Sequence, residues 1–183
     1  MIIIGYPGVG KTTAAANFIQ VIDFESHILD KKTPEAITNY CKLAESLSKQ
    51  GYIVCVSSHF DVMDYLAKST EQIYICYPNK DLKQNWIAML RHRYMEDSSE
   101  KNLRAMERVG SFFNEDIDAM QNTVFDKVEL SEGVFLSTVL TDSFNQWEQE
   151  NMVPNLESSE EVVDVDDTES EEVVDVDEVE NDS

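Results

Sequence analysis

The chain has 183 residues, 42% of them apolar, and 36 acids against 14 lysines and arginines give a formal net charge of −22. That length supports one well-filled core, the charge leaves no basic stripe for reading duplex DNA, and no apolar run approaches membrane-spanning length. Cys41, Cys55 and Cys76 are odd in number, lie in apolar surroundings and show no metal-ligand spacing, and no charged-then-apolar leader opens the sequence; a reduced, cytoplasmic setting with core thiols is the expectation.

The first element is Ile2-Ile3-Ile4, an apolar β-branched run suited to a buried parallel strand. It feeds directly into Gly5-Tyr6-Pro7-Gly8-Val9-Gly10-Lys11-Thr12, a glycine-rich turn at the carboxyl edge of a sheet, and a short helix is predicted over 13–20. The spacing is that of a phosphate-binding loop. Its glycines allow successive backbone N–H groups to curl around phosphate oxygens, so Gly5, Gly8, Val9, Gly10, Lys11, Thr12 and Thr13 form the expected nucleotide-binding run. Lys11 brings a compact charge to the outer phosphates, and the Thr12 hydroxyl suits Mg²⁺.

A second strand is predicted over 21–25, ending in Asp23 and Glu25. Thr33 then caps a helix with Pro34 in its first turn, whose apolar residues recur near every 3.6 positions until Gly51 stops it. Strand 52–56 runs into Ser57-Ser58-His59, followed by a helix over 60–68, a strand over 72–76, a helix over 81–94 and a longer helical stretch from Ser98 to about Gln121 with Gly110 as its weak point. A fifth strand over 124–130 and a closing helix from Leu136 to about Met152 complete the pattern. Alternating strands and helices imply right-handed crossovers, hence a five-stranded parallel sheet with helices on both faces: an α/β fold of the P-loop NTPase type.

Residues 1–153 are expected to form this domain, and 154–183 an acidic, disordered tail. The tail contains no aromatic residue, has 14 acids and no base from Glu157 onward, and repeats SEEVVDVD at 159–166 and 170–177. Without it the charge is close to −8. Its valines beside acids could add as an edge strand to a basic protein partner, or the segment could serve only as a solvated tail.

Other P-loop classes fit poorly. No D-x-x-G occurs anywhere, and Asn79-Lys80-Asp81-Leu82 places its acid one position early for the base-reading loop of a GTPase. The third strand ends in Ser57-Ser58-His59 where motor ATPases carry an Asp-Glu pair.

Over about residues 1 to 135 the chain resembles the small P-loop kinases of the shikimate and gluconate type, relatives of nucleoside monophosphate kinases. The residues that carry the likeness are the P-loop, the pair Asp23-x-Glu25, Ser57-Ser58 and Arg91-x-Arg93. The P-loop sequence and VIDFES and VSSH also resemble kinase-like proteins of bacteriophages and bacteria. The resemblance implies that Asp23 helps hold Mg²⁺, that Glu25 meets the acceptor hydroxyl, and that Arg91 and Arg93 come from a lid that clamps the transferring phosphate. Glu25 replaces the second Asp of that family's pair, and the substrate-reading glycines and arginines of the sugar-acid enzymes are missing. The expectation is therefore an ATP- and Mg²⁺-dependent phosphotransferase for a small acceptor, a nucleoside or nucleotide first, a nucleic-acid end or modified base next. The alternative is a nucleotide-binding ATPase with a regulatory role. His59 reads as a helix cap or a polar site residue, Gly133 as an adenine contact or a plain turn, and Trp86 with Leu90 as a core stripe.

Overall fold

The computed structural model describes residues 1–24 and 33–151. Glu25 and the acidic tail lie outside the described residues. Five strands, β1 (Ile2–Gly5), β2 (Val21–Asp23), β3 (Ile53–Ser57), β4 (Ile73–Pro78) and β5 (Asp126–Leu130), form one parallel sheet in the order β2-β3-β1-β4-β5. The helices are α1 (Lys11–Asn17), α2 (Pro34–Lys49), α3 (Phe60–Leu66), α4 (Lys83–Glu96), α5 (Glu100–Gln121) and α6 (Leu136–Asn151). The path steps one way across the sheet from β1 to β2 and the other way thereafter, so right-handed crossovers put α1 on one face and α2 to α5 on the other. Helix α6 packs on α1, α2 on α3, and α4 on α5. The expected α/β fold is present.

The central strand is buried along its whole length, Ile2, Ile3 and Ile4 included. In register, Gly5 stands between Ser57 of β3 and Cys76 of β4, which places the glycine-rich turn over the middle of the sheet's carboxyl edge. Thr33 caps α2 as expected, its hydroxyl accepting the Ala36 N–H at 3.2 Å. All three cysteines are buried free thiols. Burial pushes Cys55 and Cys76 up to about 12. No helix among the described residues is long and apolar enough to cross a membrane.

Several boundaries differ from expectation. Helix α1 starts at Lys11 rather than Thr13, because Gly10 takes φ 94° and completes the turn in one residue. Strand β5 starts at Asp126, since Val124 is 80% exposed and pairs with nothing in the sheet. A 3-10 turn at Lys80–Leu82 precedes α4, with the Asp81 N–H donating to Asn79 Oδ1 at 2.9 Å. The break in α5 falls at Phe112 (φ −128°, ψ 18°) and not at Gly110. Glycine lowers the cost of a bend without dictating it, and here the ion pair between Arg108 and Asp116 spans the kink.

Candidate functional site

The loop between β1 and α1 is held from three sides. Tyr6 N–H donates to the Cys76 carbonyl (2.9 Å), Leu136 N–H donates to the Val9 carbonyl (2.9 Å), and the Trp86 indole N–H donates to the Pro7 carbonyl (2.8 Å). Gly8 is at φ 92°, and a Cβ there would sit 2.9 Å from both Trp86 Nε1 and Met89 Cε. Helix α4 thus presses on the loop at a point where only glycine fits. A Cβ on Gly5 would meet Lys11 Cδ at 2.8 Å, so that glycine clears the path of the lysine stem.

Lys11 lies inside the loop, its ammonium donating to the Gly5 carbonyl at 2.9 Å. Burial pulls its pKa below the ordinary lysine value, the Asp23 carboxylate works against that, and the charge of Lys101 in the first turn of α5 adds to it. Thr12 Oγ1 donates to Asp23 Oδ2 at 2.6 Å, joining the loop to the end of β2. Among the described residues Asp23 Oδ1 is buried with no hydrogen-bond partner, as is Ser57 Oγ at the end of β3. A buried carboxylate oxygen left unpaired is costly unless something else completes it.

That donor set fits Mg²⁺: one carboxylate and one hydroxyl, both hard oxygens, beside a cradle of backbone amides. No group of three or more His, Cys, Asp or Glu among the described residues is placed to cage a metal, so an ion here would take its remaining oxygens from nucleotide and water.

The other expected residues fall as follows. Phe24, next to the Glu25 that lies outside the described residues, stacks on Tyr40 with ring centroids 4.6 Å apart, and Tyr40 Oη donates to the Phe24 carbonyl (2.5 Å). The Ser57 N–H donates to the same hydroxyl at 3.3 Å, so Tyr40 fixes the ends of β2 and β3 together. Arg91 and Arg93 are exposed residues of α4. Helical spacing puts Arg93 on the stripe of Trp86 and Met89 that faces the loop and Arg91 roughly 140° around from Trp86. Helices α4 and α5 are joined by residues 97–99 alone, where Asn102 Nδ2 donates to the Asp97 carbonyl (2.9 Å) and Oδ2 (2.8 Å). The arginines therefore ride on a helix rather than a long loop. His59 precedes α3 with extended backbone, and Gly133, at φ 73°, serves the turn from Ser131 to Val134 with nothing packed against it.

Sequence reasoning passed over two residues that build this site. Trp86 is more than core, since its indole N–H anchors the loop; a buried tryptophan needs an acceptor, and that is the signal that could have found it. Tyr6 is a buried ring set edge-on to Phe113, with centroids 5.9 Å apart.

No family model matches this chain, and neither does any curated protein. The structure is similar to the shikimate kinase from Acinetobacter baumannii in complex with shikimate, at 12% identity and a TM-score of 0.40, covering 84% of this chain and 94% of that one.

Proposed function

We propose that the chain is an ATP- and Mg²⁺-dependent phosphotransferase for a small acceptor, with nucleosides or nucleotides the leading class and a nucleic-acid end or modified base the next. One observation carries the reading: Thr12 and Asp23 are joined at 2.6 Å beside a lysine-filled P-loop, with Asp23 Oδ1 buried and unpaired among the described residues. An acid serving only to cap a turn would have both oxygens satisfied or solvated.

In this reading the backbone of Gly5, Gly8, Val9, Gly10, Lys11, Thr12 and Thr13 binds the phosphates of ATP. Lys11 exchanges the Gly5 carbonyl for the outer phosphate oxygens. Thr12 and Asp23 hold Mg²⁺, which supplies neutralising charge at the phosphates when bound. The acceptor oxygen attacks the terminal phosphorus in line as the bond to the bridging oxygen breaks, ADP leaves, and the acceptor proton passes to Glu25. Arg93 and Arg91, from α4, stabilise charge on the transferring group. Catalysis here is positioning and electrostatics.

The three-residue connection at 97–99 favours a second reading, a nucleotide-binding ATPase with a regulatory role, because a long closing segment is what excludes water during transfer. Incubation of purified protein with ATP labelled at the terminal phosphate and a panel of nucleosides, nucleotides, oligonucleotides and sugar acids separates the two. Label in an acceptor supports the phosphotransferase; acceptor-independent phosphate release alone supports the ATPase.

A further inference from the structure

One cluster beside the P-loop has no part in the scheme above. Phe60, the first residue of α3, and Phe112, at the kink of α5, are 52% and 50% exposed. The Arg108 guanidinium lies near both rings, its carbon 6.0 Å from the Phe60 centroid and 5.1 Å from that of Phe112. Arg108 Nε donates to Asp116 Oδ2 at 2.8 Å and Nη2 donates to Oδ1 of the same buried carboxylate. The pair fixes the plane of the guanidinium and neutralises its charge, and it leaves Nη1 as the nitrogen that Asp116 does not engage.

The cluster adjoins the phosphate cradle. Phe60 follows the Ser57-Ser58-His59 turn, and Ser57 is in register with Gly5. Behind it, Tyr6 of the P-loop packs on Phe113, and its hydroxyl lies against Asp116 without a hydrogen bond of normal geometry. An acceptor seated here would stand on the β3 side of the loop.

The chemistry of the cluster selects the ligand. A site for a sugar acid or another small anion needs an uncompensated cation, and Asp116 removes the one Arg108 would supply. Two half-exposed rings flanking a fixed, neutralised guanidinium instead offer π-faces and a flat donor edge, which suit a planar, uncharged heterocycle bearing carbonyl or ring-nitrogen acceptors. We propose that Phe60, Arg108 and Phe112 form the acceptor subsite and that it takes the base of a nucleoside, by stacking and by hydrogen bonds from Arg108. This rests on the phosphotransferase reading and names its acceptor.

The test uses the full chain saturated with a non-hydrolysable ATP analogue and Mg²⁺, so that the donor site is filled. Thymidine, cytidine, adenosine and guanosine, with gluconate as the sugar-acid control, are screened by saturation-transfer NMR, and affinities of binders follow by calorimetry. At least one nucleoside is expected to bind and gluconate is not. Phe60→Ala and Phe112→Leu should each weaken that nucleoside about tenfold, with analogue affinity and melting temperature unchanged; both rings are half exposed, so neither variant threatens the fold. Binding of gluconate alone, of no nucleoside, or of a nucleoside with undiminished affinity in both variants would overturn the subsite while leaving the donor reading standing. Failure of the analogue itself to bind the wild-type chain would sink the phosphotransferase reading, and the subsite with it.

Discussion

The two edges of the sheet are built on opposite terms. At the amino edge the polar groups are paired with one another: Met1 N donates to Ser48 Oγ at 2.6 Å, Ser48 in turn donates to Glu71, and Ser69 Oγ donates to Glu45 at 2.5 Å. At the carboxyl edge, among the described residues, Asp23 Oδ1 and Ser57 Oγ are buried with no such partner, the Tyr6 hydroxyl lies against Asp116 without a hydrogen bond of normal geometry, desolvation holds the half-buried Lys11 below its ordinary pKa, and the loop glycines Gly8 and Gly10 take positive φ. One edge closes its hydrogen bonds and the other leaves them open. Unpaired buried polar groups cost stability, and their concentration at one end accords with the proposal that a bound nucleotide completes that edge. The contrast can be broken or sharpened by substitution.

The largest effect is expected at Lys11. Lys11→Ala should weaken Mg–ATP about 100-fold or more by calorimetry, because charge-assisted hydrogen bonds to the outer phosphates have no substitute in the loop. In the unliganded protein, Lys11→Met should hold or raise the melting temperature, since an apolar chain of similar reach removes a half-buried ammonium whose charged form desolvation disfavours. Unchanged ATP affinity in Lys11→Ala, or clear destabilisation in Lys11→Met, would make the lysine a structural member and erase the contrast.

The α4 arginines come next. Arg93 shares the loop-facing stripe of Trp86 and Met89 and Arg91 does not, so Arg93→Ala should lower turnover about tenfold with ATP affinity little changed, and Arg91→Ala by less than about threefold. Equal effects would mean that α4 rotates or unwinds when nucleotide binds. A loss of ATP affinity matching the loss of turnover would instead make Arg93 a ground-state anchor.

At the amino edge, Ser48→Ala should cost about 1–2 kcal/mol, seen as a melting temperature several degrees lower, because Glu71 and the Met1 nitrogen lose their shared partner. ATP affinity should stay as it was. A weakened ATP affinity would show that the two edges are coupled through β1.

How much of this was legible in the sequence depended on how far each contact reaches along the chain. The P-loop could be read because a single backbone task dictates its residues within eight positions, and the element order could be read because strand and helix periodicities are local. Asp23 was visible as an acid at a strand end. The indole of Trp86 on the Pro7 carbonyl joins residues 79 apart, and Tyr6 meets Phe113 across a greater separation. No local pattern encodes either. The kink at Phe112 escaped for the same reason: Gly110 has open space around it, so composition pointed there, while the bend lies within the span of the Arg108–Asp116 pair.

The smallest effect is expected from the acidic tail. From Glu157 onward there are 14 acids, no base and no aromatic residue, so the segment brings little apolar surface to a core and much self-repulsion to any compact state. We propose that residues 1–153 fold and bind nucleotide as a unit. Deleting 157–183 should therefore leave the melting temperature within about 1 °C at moderate salt and Mg–ATP affinity within about twofold. The acids could also draw Mg²⁺ loosely, so the affinity comparison belongs at fixed free Mg²⁺. A large fall in melting temperature would show that the tail packs on the domain. The duplicated valine–acid unit adds a second readout: a basic partner captured by the full chain and lost on deletion of either copy would make the tail a docking segment whose two copies act through effective concentration, and retention after both are removed would leave it a solvated tail.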